Sequence, residues 1–142
     1  MGRDSGPAVK VLLVEDHPQI AKLRAELFEN LGCQVSAAES VQDAIAELSS
    51  PAQFDIVMTD INLGEDLEDQ SGLELARWIR DSDPDLPIVA YTAVFNESDL
   101  PMDRHPEIAQ WIVKGSLGLA DLRDAMEGVV RLGREARSVR EK

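Results

Sequence analysis

Two kinds of hydrophobic pattern alternate along this chain. The first is a short, nearly continuous apolar run. It occurs at Val9-Lys10-Val11-Leu12-Leu13-Val14, more weakly at Gln34 to Ala38, and again at Phe54 to Asp60, Ile88 to Thr92 and Ile108 to Val113. Runs of this length, rich in Val and Ile, predict strands buried on both faces. The second pattern is apolar residues at helical spacing. Ile20, Leu23, Leu27 and Leu31 come after Pro18, which suits a first helical turn, and Gly32 supplies the stop. Ser40 with Asp43 predicts a capped helix start, with Ala44, Ile45 and Leu48 as the buried stripe. Leu73, Leu75, Ala76 and Ile79, with Trp78 among them, predict a third helix, and Asp83-Pro84 and Leu86-Pro87 punctuate the stretch before the next strand. Leu119 to Val130 predicts a last helix that runs on toward residue 139. Strand and helical segment alternate five times, which predicts a doubly wound α/β domain: a parallel sheet with helices on both faces.

In an open α/β sheet, ligands bind at the carboxyl ends of the strands. Here those ends carry Glu15-Asp16, Asp60, Thr92 and Lys114. Taken singly, each has an ordinary explanation. A strand-end Asp forms turns and caps, a Lys is solvated, and a Thr suits a strand. Taken together and in order, they bring three carboxylates, a hydroxyl and an ammonium to one rim. Packed carboxylates repel one another. A hard divalent cation relieves that repulsion, and Mg²⁺ suits two or three carboxylates plus a backbone carbonyl. Asp60 then stays ionised and can act as a nucleophile, because carboxylates form aspartyl-phosphates. Phosphoryl transfer needs mainly positioning and charge neutralisation. Lys114 would supply charge, and the Thr92 hydroxyl would donate a hydrogen bond.

Composition narrows the partners. The 142 residues fit one domain with a full core. A net charge of −13 argues against sequence-independent nucleic-acid binding by the domain body. The charge is uneven: residues 131–142 hold Arg131, Arg134, Arg137, Arg140 and Lys142 against Glu135 and Glu141. This basic end reads as a solvated helix terminus or as a tail for nucleic acid or another partner. No apolar run approaches the roughly 18–20 residues that span a bilayer. Residues 1–8 lack a hydrophobic signal segment and read as a flexible leader. Cys33, the single cysteine, cannot form an internal disulfide. These features lead us to expect a cytoplasmic chain without membrane contact.

At this point the sequence resembles the receiver domains of two-component response regulators. The resemblance covers residues 9–130 and leaves 131–142 as a basic extension of the last helix. It rests on Val-Leu-Leu-Val-Glu15-Asp16-His-Pro, Asp-Ile-Val-Met-Thr-Asp60-Ile-Asn62-Leu, Gly72-Leu-Glu-Leu-Ala, Tyr-Thr92-Ala93 and Trp-Ile-Val-Lys114. It implies a flavodoxin-like sheet of strand order 2-1-3-4-5. It implies that Asp60 is phosphorylated by a sensor histidine kinase or a phosphotransfer protein. It further implies a Mg²⁺ site of Asp16, Asp60, the Asn62 carbonyl and Glu15, the last often through water. Thr92 would be the switch hydroxyl, Lys114 the phosphate-binding lysine and Trp111 the switch aromatic.

The sequence departs from the family pattern in several places. The loop after Asp60 is long and acidic, with Glu65, Asp66, Glu68 and Asp69. Lys114 precedes Gly115 rather than Pro. Pro101 falls inside the helix expected near Asn96–Arg104, with Pro106 just beyond, which predicts a short, shifted or partly unwound helix. Val94 cannot orient a hydrolytic water, which predicts a long-lived phosphoryl state. Leu122, Ala125, Val129, Leu132, Ala136 and Val139 fit a weak heptad pattern. That stripe is either a face that frays beyond Leu132 or an extended helix that pairs two chains. The alternative function is a metal-dependent phosphohydrolase with an aspartyl nucleophile. Its usual second Asp is replaced here by Asn62, which cannot shuttle a proton. The first expectation is therefore a switch whose only chemistry is its own phosphorylation and dephosphorylation, read out by an unknown protein.

Overall fold

The computed structural model describes residues 9–50, 54–60, 71–83, 85–92, 108–113 and 119–141. The described elements are, in chain order, β1 (Lys10–Val14), α1 (Pro18–Asn30), β2 (Gln34–Ala38), α2 (Val41–Ser49), β3 (Ile56–Asp60), α3 (Ser71–Ser82), β4 (Ile88–Thr92), β5 (Gln110–Val113) and α4 (Leu119–Glu141). All strand pairs are parallel and the order is β2-β1-β3-β4-β5, as expected.

Successive strand residues point to opposite faces. Val11, Leu13, Ile56, Met58, Val89 and Ile112 pack with Phe28 of α1 and with Met126, Val129 and Val130 of α4. Leu12, Val14, Val57, Ile88, Ala90 and Trp111 pack with Ala44 of α2 and with Leu75, Ala76 and Ile79 of α3. Both faces are covered, which is why the central strands read as continuous apolar runs rather than alternating ones. Ser40 caps α2 through a 3.0 Å hydrogen bond from the Asp43 N–H to its Oγ. Gly32, at φ +92°, provides the left-handed turn that ends α1.

Two helices differ from the sequence reading. In α1 half of the proposed stripe faces solvent: Leu23 is 66% exposed and Ile20 is also exposed, whereas Leu27 and Leu31 pack against the core and Ala21 and Phe28 are buried. The core-facing side is Ala21, Arg24, Ala25, Leu27, Phe28 and Leu31, with small and amphipathic residues in its first half where Ile20 and Leu23 were expected. In α4 the helix does not fray at Leu132 but continues to Glu141. Three contacts hold this end against loops at the amino ends of β3 and β4. Gly133 lies so close to Pro87 that an added Cβ would fall 2.6 Å from the proline Cγ. Arg134 pairs with Asp55 through both carboxylate oxygens, at 3.1 and 3.0 Å, and Arg137 pairs with Asp83 at 2.8 Å. These two arginines are therefore tethered to the domain rather than simply solvated. Leu132 and Val139 remain exposed.

The acidic loop through residue 70, Val94, the helix expected near 96–104 with Pro101 and Pro106, and Gly115 lie outside the described residues; Ser71, expected in that loop, begins α3. Among the described residues, no helix is long and apolar enough to cross a membrane.

Candidate functional site

The site forms where β1, β3 and β4 end. Val14 is level with Thr59 and Thr59 with Ala90, while Asp60 is level with Tyr91. One residue past Val14, the Glu15 N–H donates to the Ala38 carbonyl at 3.0 Å and continues the ladder. Asp60 and Tyr91 therefore occupy one row, and Glu15 follows directly on the end of the neighbouring β1. Thr92 lies in the next row, level with Val113, the residue before Lys114. The structure describes the backbone of Asp60 and Thr92. Asn62 and Lys114 lie outside the described residues.

Glu15 is 1% exposed. Burial of a carboxylate is costly unless charge and hydrogen bonds compensate it. Arg24 of α1 donates from its guanidinium to Glu15 Oε1. The His17 backbone N–H reaches Oε2 at 3.2 Å and the His17 ring Nδ1 lies 3.3 Å away. Asp16, by contrast, turns outward with its side chain 71% exposed and lies 2.9 Å from the same His17 nitrogen. The hydrogen bond with Glu15 and the charge of Asp16 raise the His17 pKa above its ordinary 6.5. Arg24 also stacks on Tyr91, 4.7 Å from the ring centroid. Burial pushes the Tyr91 hydroxyl pKa up, and Arg24 opposes that shift.

This donor set fits a small, hard divalent cation. Glu15, Asp16 and His17 can each offer one ligand atom within 4.8 Å of the others. The accessible oxygens belong to Asp16, whose side chain is 71% exposed. Both oxygens of Glu15 are engaged within the chain, so Glu15 would meet a cation through water or by releasing one partner. Trp111 is 7% exposed and sits in the core on the α2 and α3 face, level with Ala90.

Residues 11–127 match the family described as the response regulator receiver domain. The chain belongs to this family. Receivers are the switch modules of two-component signalling, and the relatives of this one include both regulators and sensor kinases. It is 36% identical over 90 residues to the sensor histidine kinase RcsC of Salmonella typhimurium, an alignment covering 63% of this chain and 9% of that protein. It is 34% identical over 102 residues to the transcriptional regulatory protein TrcR of Mycobacterium tuberculosis, covering 72% of this chain and 36% of that one. The chain thus corresponds to a small part of each of these proteins. Among solved structures, the response regulator TrrA of Thermotoga maritima, crystallised with Mg²⁺ and BeF, is 28% identical with a TM-score of 0.68, covering 85% of this chain and 98% of that one. A receiver domain from Clostridium thermocellum has the same fold at 19% identity, with a TM-score of 0.76 and coverage of 90% and 98%.

Within this receiver, the sequence reading overlooked Arg24, His17 and Tyr91. The signal for Arg24 was weak but present: a cation placed between Ala21 and Phe28 on one helical face, where a buried charge requires a partner.

Proposed function

We propose that this receiver accepts a phosphoryl group on Asp60 in a Mg²⁺-dependent reaction. The observation that carries this reading is the position of Asp60 at the carboxyl end of β3, level with Tyr91 of the strand that ends in Thr92 and next to β1, which leads into Glu15-Asp16. Mg²⁺, when bound, neutralises the acidic rim and the phosphoryl oxygens. Asp16, Asp60 and the Asn62 carbonyl would hold it, with Glu15 behind them. The Asp60 carboxylate attacks phosphorus and the donor's leaving group departs. The Thr92 hydroxyl donates to one phosphoryl oxygen, and the Lys114 ammonium balances charge on the others.

The phosphodonor would be a sensor histidine kinase or a phosphotransfer protein, in keeping with the kinase relatives. Readout would run from Thr92 to Trp111 and change a protein–protein contact, with no turnover of an outside substrate. We assign residues 9–130 to the receiver unit and 131–142 to an extension whose exposed Leu132 and Val139 would pair two copies. A cytoplasmic location and the lack of direct nucleic-acid binding are the readings that the composition supports.

The test is incubation of the chain with Mg²⁺ and acetyl phosphate, and then intact-mass analysis. A labile phosphoryl adduct that is absent in Asp60→Asn and in EDTA is the expected result. An adduct that persists in Asp60→Asn would move the acceptor elsewhere. Rapid turnover of many phosphate esters would favour a phosphohydrolase. Light scattering with and without acetyl phosphate tests pairing through α4.

A further inference from the structure

We infer that Arg24 is a resident cation that stands in for the metal on Glu15 and so sets how tightly this receiver binds Mg²⁺. The inference rests on the Mg²⁺ reading above. Arg24 lies on the core-facing side of α1 with its side chain 16% exposed, and it touches both Glu15, just past the end of β1, and Tyr91, which is level with Asp60. On one side its guanidinium holds Glu15 Oε1, and on the other its plane lies 4.7 Å from the Tyr91 ring centroid. A buried carboxylate needs a nearby positive charge. Arg24 provides one without any metal, so the charge that a divalent cation would balance is already partly balanced.

The two cations therefore compete for one carboxylate. Tyr91 fixes Arg24 from the far side, so the guanidinium does not simply swing away when a metal arrives. A dication entering beside Asp16 meets the repulsion of Arg24 as well as the attraction of the carboxylates. Arg24 is thus a positioning and charge-setting residue that acts through Glu15. It lowers metal affinity while keeping the metal-free site folded.

The experiment uses the full chain and the variants Arg24→Gln and Arg24→Lys. MgCl₂ binding is monitored by tryptophan fluorescence or calorimetry at pH 8, and melting is recorded in EDTA and in saturating MgCl₂. Arg24→Gln is expected to bind Mg²⁺ at least about fivefold more tightly, a modest share of the repulsion between a guanidinium and a nearby dication. Arg24→Lys, which keeps the charge, is expected to stay within about twofold of wild type. The melting temperature lost by Arg24→Gln in EDTA should shrink when Mg²⁺ is added, because metal and arginine do the same job. Should Arg24→Gln be unfolded in EDTA, its refolding on titration with MgCl₂ supports the inference, and no refolding overturns it. Weaker Mg²⁺ binding by Arg24→Gln, or an equal melting deficit with and without metal, also overturns it. A wild-type chain with no saturable response to MgCl₂ removes the metal reading itself, which is a different failure.

Discussion

The two rims of the sheet use the same chemical pair, arginine with a carboxylate, in opposite ways. At the carboxyl rim Arg24 holds Glu15, whose side chain is fully buried. At the amino rim Arg134 and Arg137 hold Asp55 and Asp83 with both partners partly in solvent. A buried pair is costly to assemble and more costly to break, because either partner left alone is a charge in a poor solvent. An exposed pair is weak, because water and salt compete for both ends. The first rim concentrates charge that the protein must manage. The second uses charge to lay a long helix along the domain, with Gly133 against Pro87 as its packing contact.

The largest effect should come from breaking the buried pair. Arg24→Met, measured by urea unfolding in EDTA, is expected to lose about 3 kcal/mol, the low end for a buried ion pair because Arg24 is not wholly enclosed. A loss below about 1 kcal/mol would place it with the exposed pairs and erase the contrast. Next comes Gly133→Ala. Its Cβ would meet the stiff Pro87 ring at 2.6 Å, so the helix end must shift. Overpacking of about 1–3 kcal/mol should outweigh the gain of about 1 kcal/mol in helix propensity. A net stabilisation in thermal melts would show that the α4 end is not held there. Arg134→Ala and Arg137→Ala should each cost less than about 1 kcal/mol, and high salt should abolish most of that difference.

The smallest effect is a pH drift at the acidic turn. The pKa of His17 is raised above 6.5 by the Glu15 hydrogen bond and the Asp16 charge. The folded state therefore holds this proton more tightly than the unfolded chain. Its stabilising contribution is complete below 6.5 and fades as pH rises through the raised value. Stability in EDTA should drift down across that window, and His17→Gln should flatten the drift. A profile identical in the two proteins would show that His17 is not coupled to the turn.

Much of the fold was written in local pattern. The five apolar runs became the five strands, and Ser40 and Gly32 marked helix ends for reasons confined to a few residues: a side-chain acceptor for an orphan N–H, and a left-handed φ. The acidic residues at strand ends were legible because parallel strands in a doubly wound sheet must end on a shared rim. What the first half of α1 buries was not legible. Of the apolar stripe Ile20, Leu23, Leu27 and Leu31, only Leu27 and Leu31 pack on the core, and Ala21, Arg24 and Phe28 face inward where Ile20 and Leu23 were expected.

The chain alone determined the character of the five strands and which strand ends would share the carboxyl rim. Hydrophobic period, caps and strand direction are enough to account for each of those. Only the tertiary structure decided which residues of α1 turn inward and that α4 is held against the domain beyond Leu132. Arg24 belongs to the interior because Glu15 and Tyr91 are there to receive it. The end of α4 is held by Asp55 and Asp83, which lie 79 and 54 residues away in the chain from Arg134 and Arg137. A charge can be buried, and a helix end held, only by partners that the folded sheet brings near, and no local pattern records them.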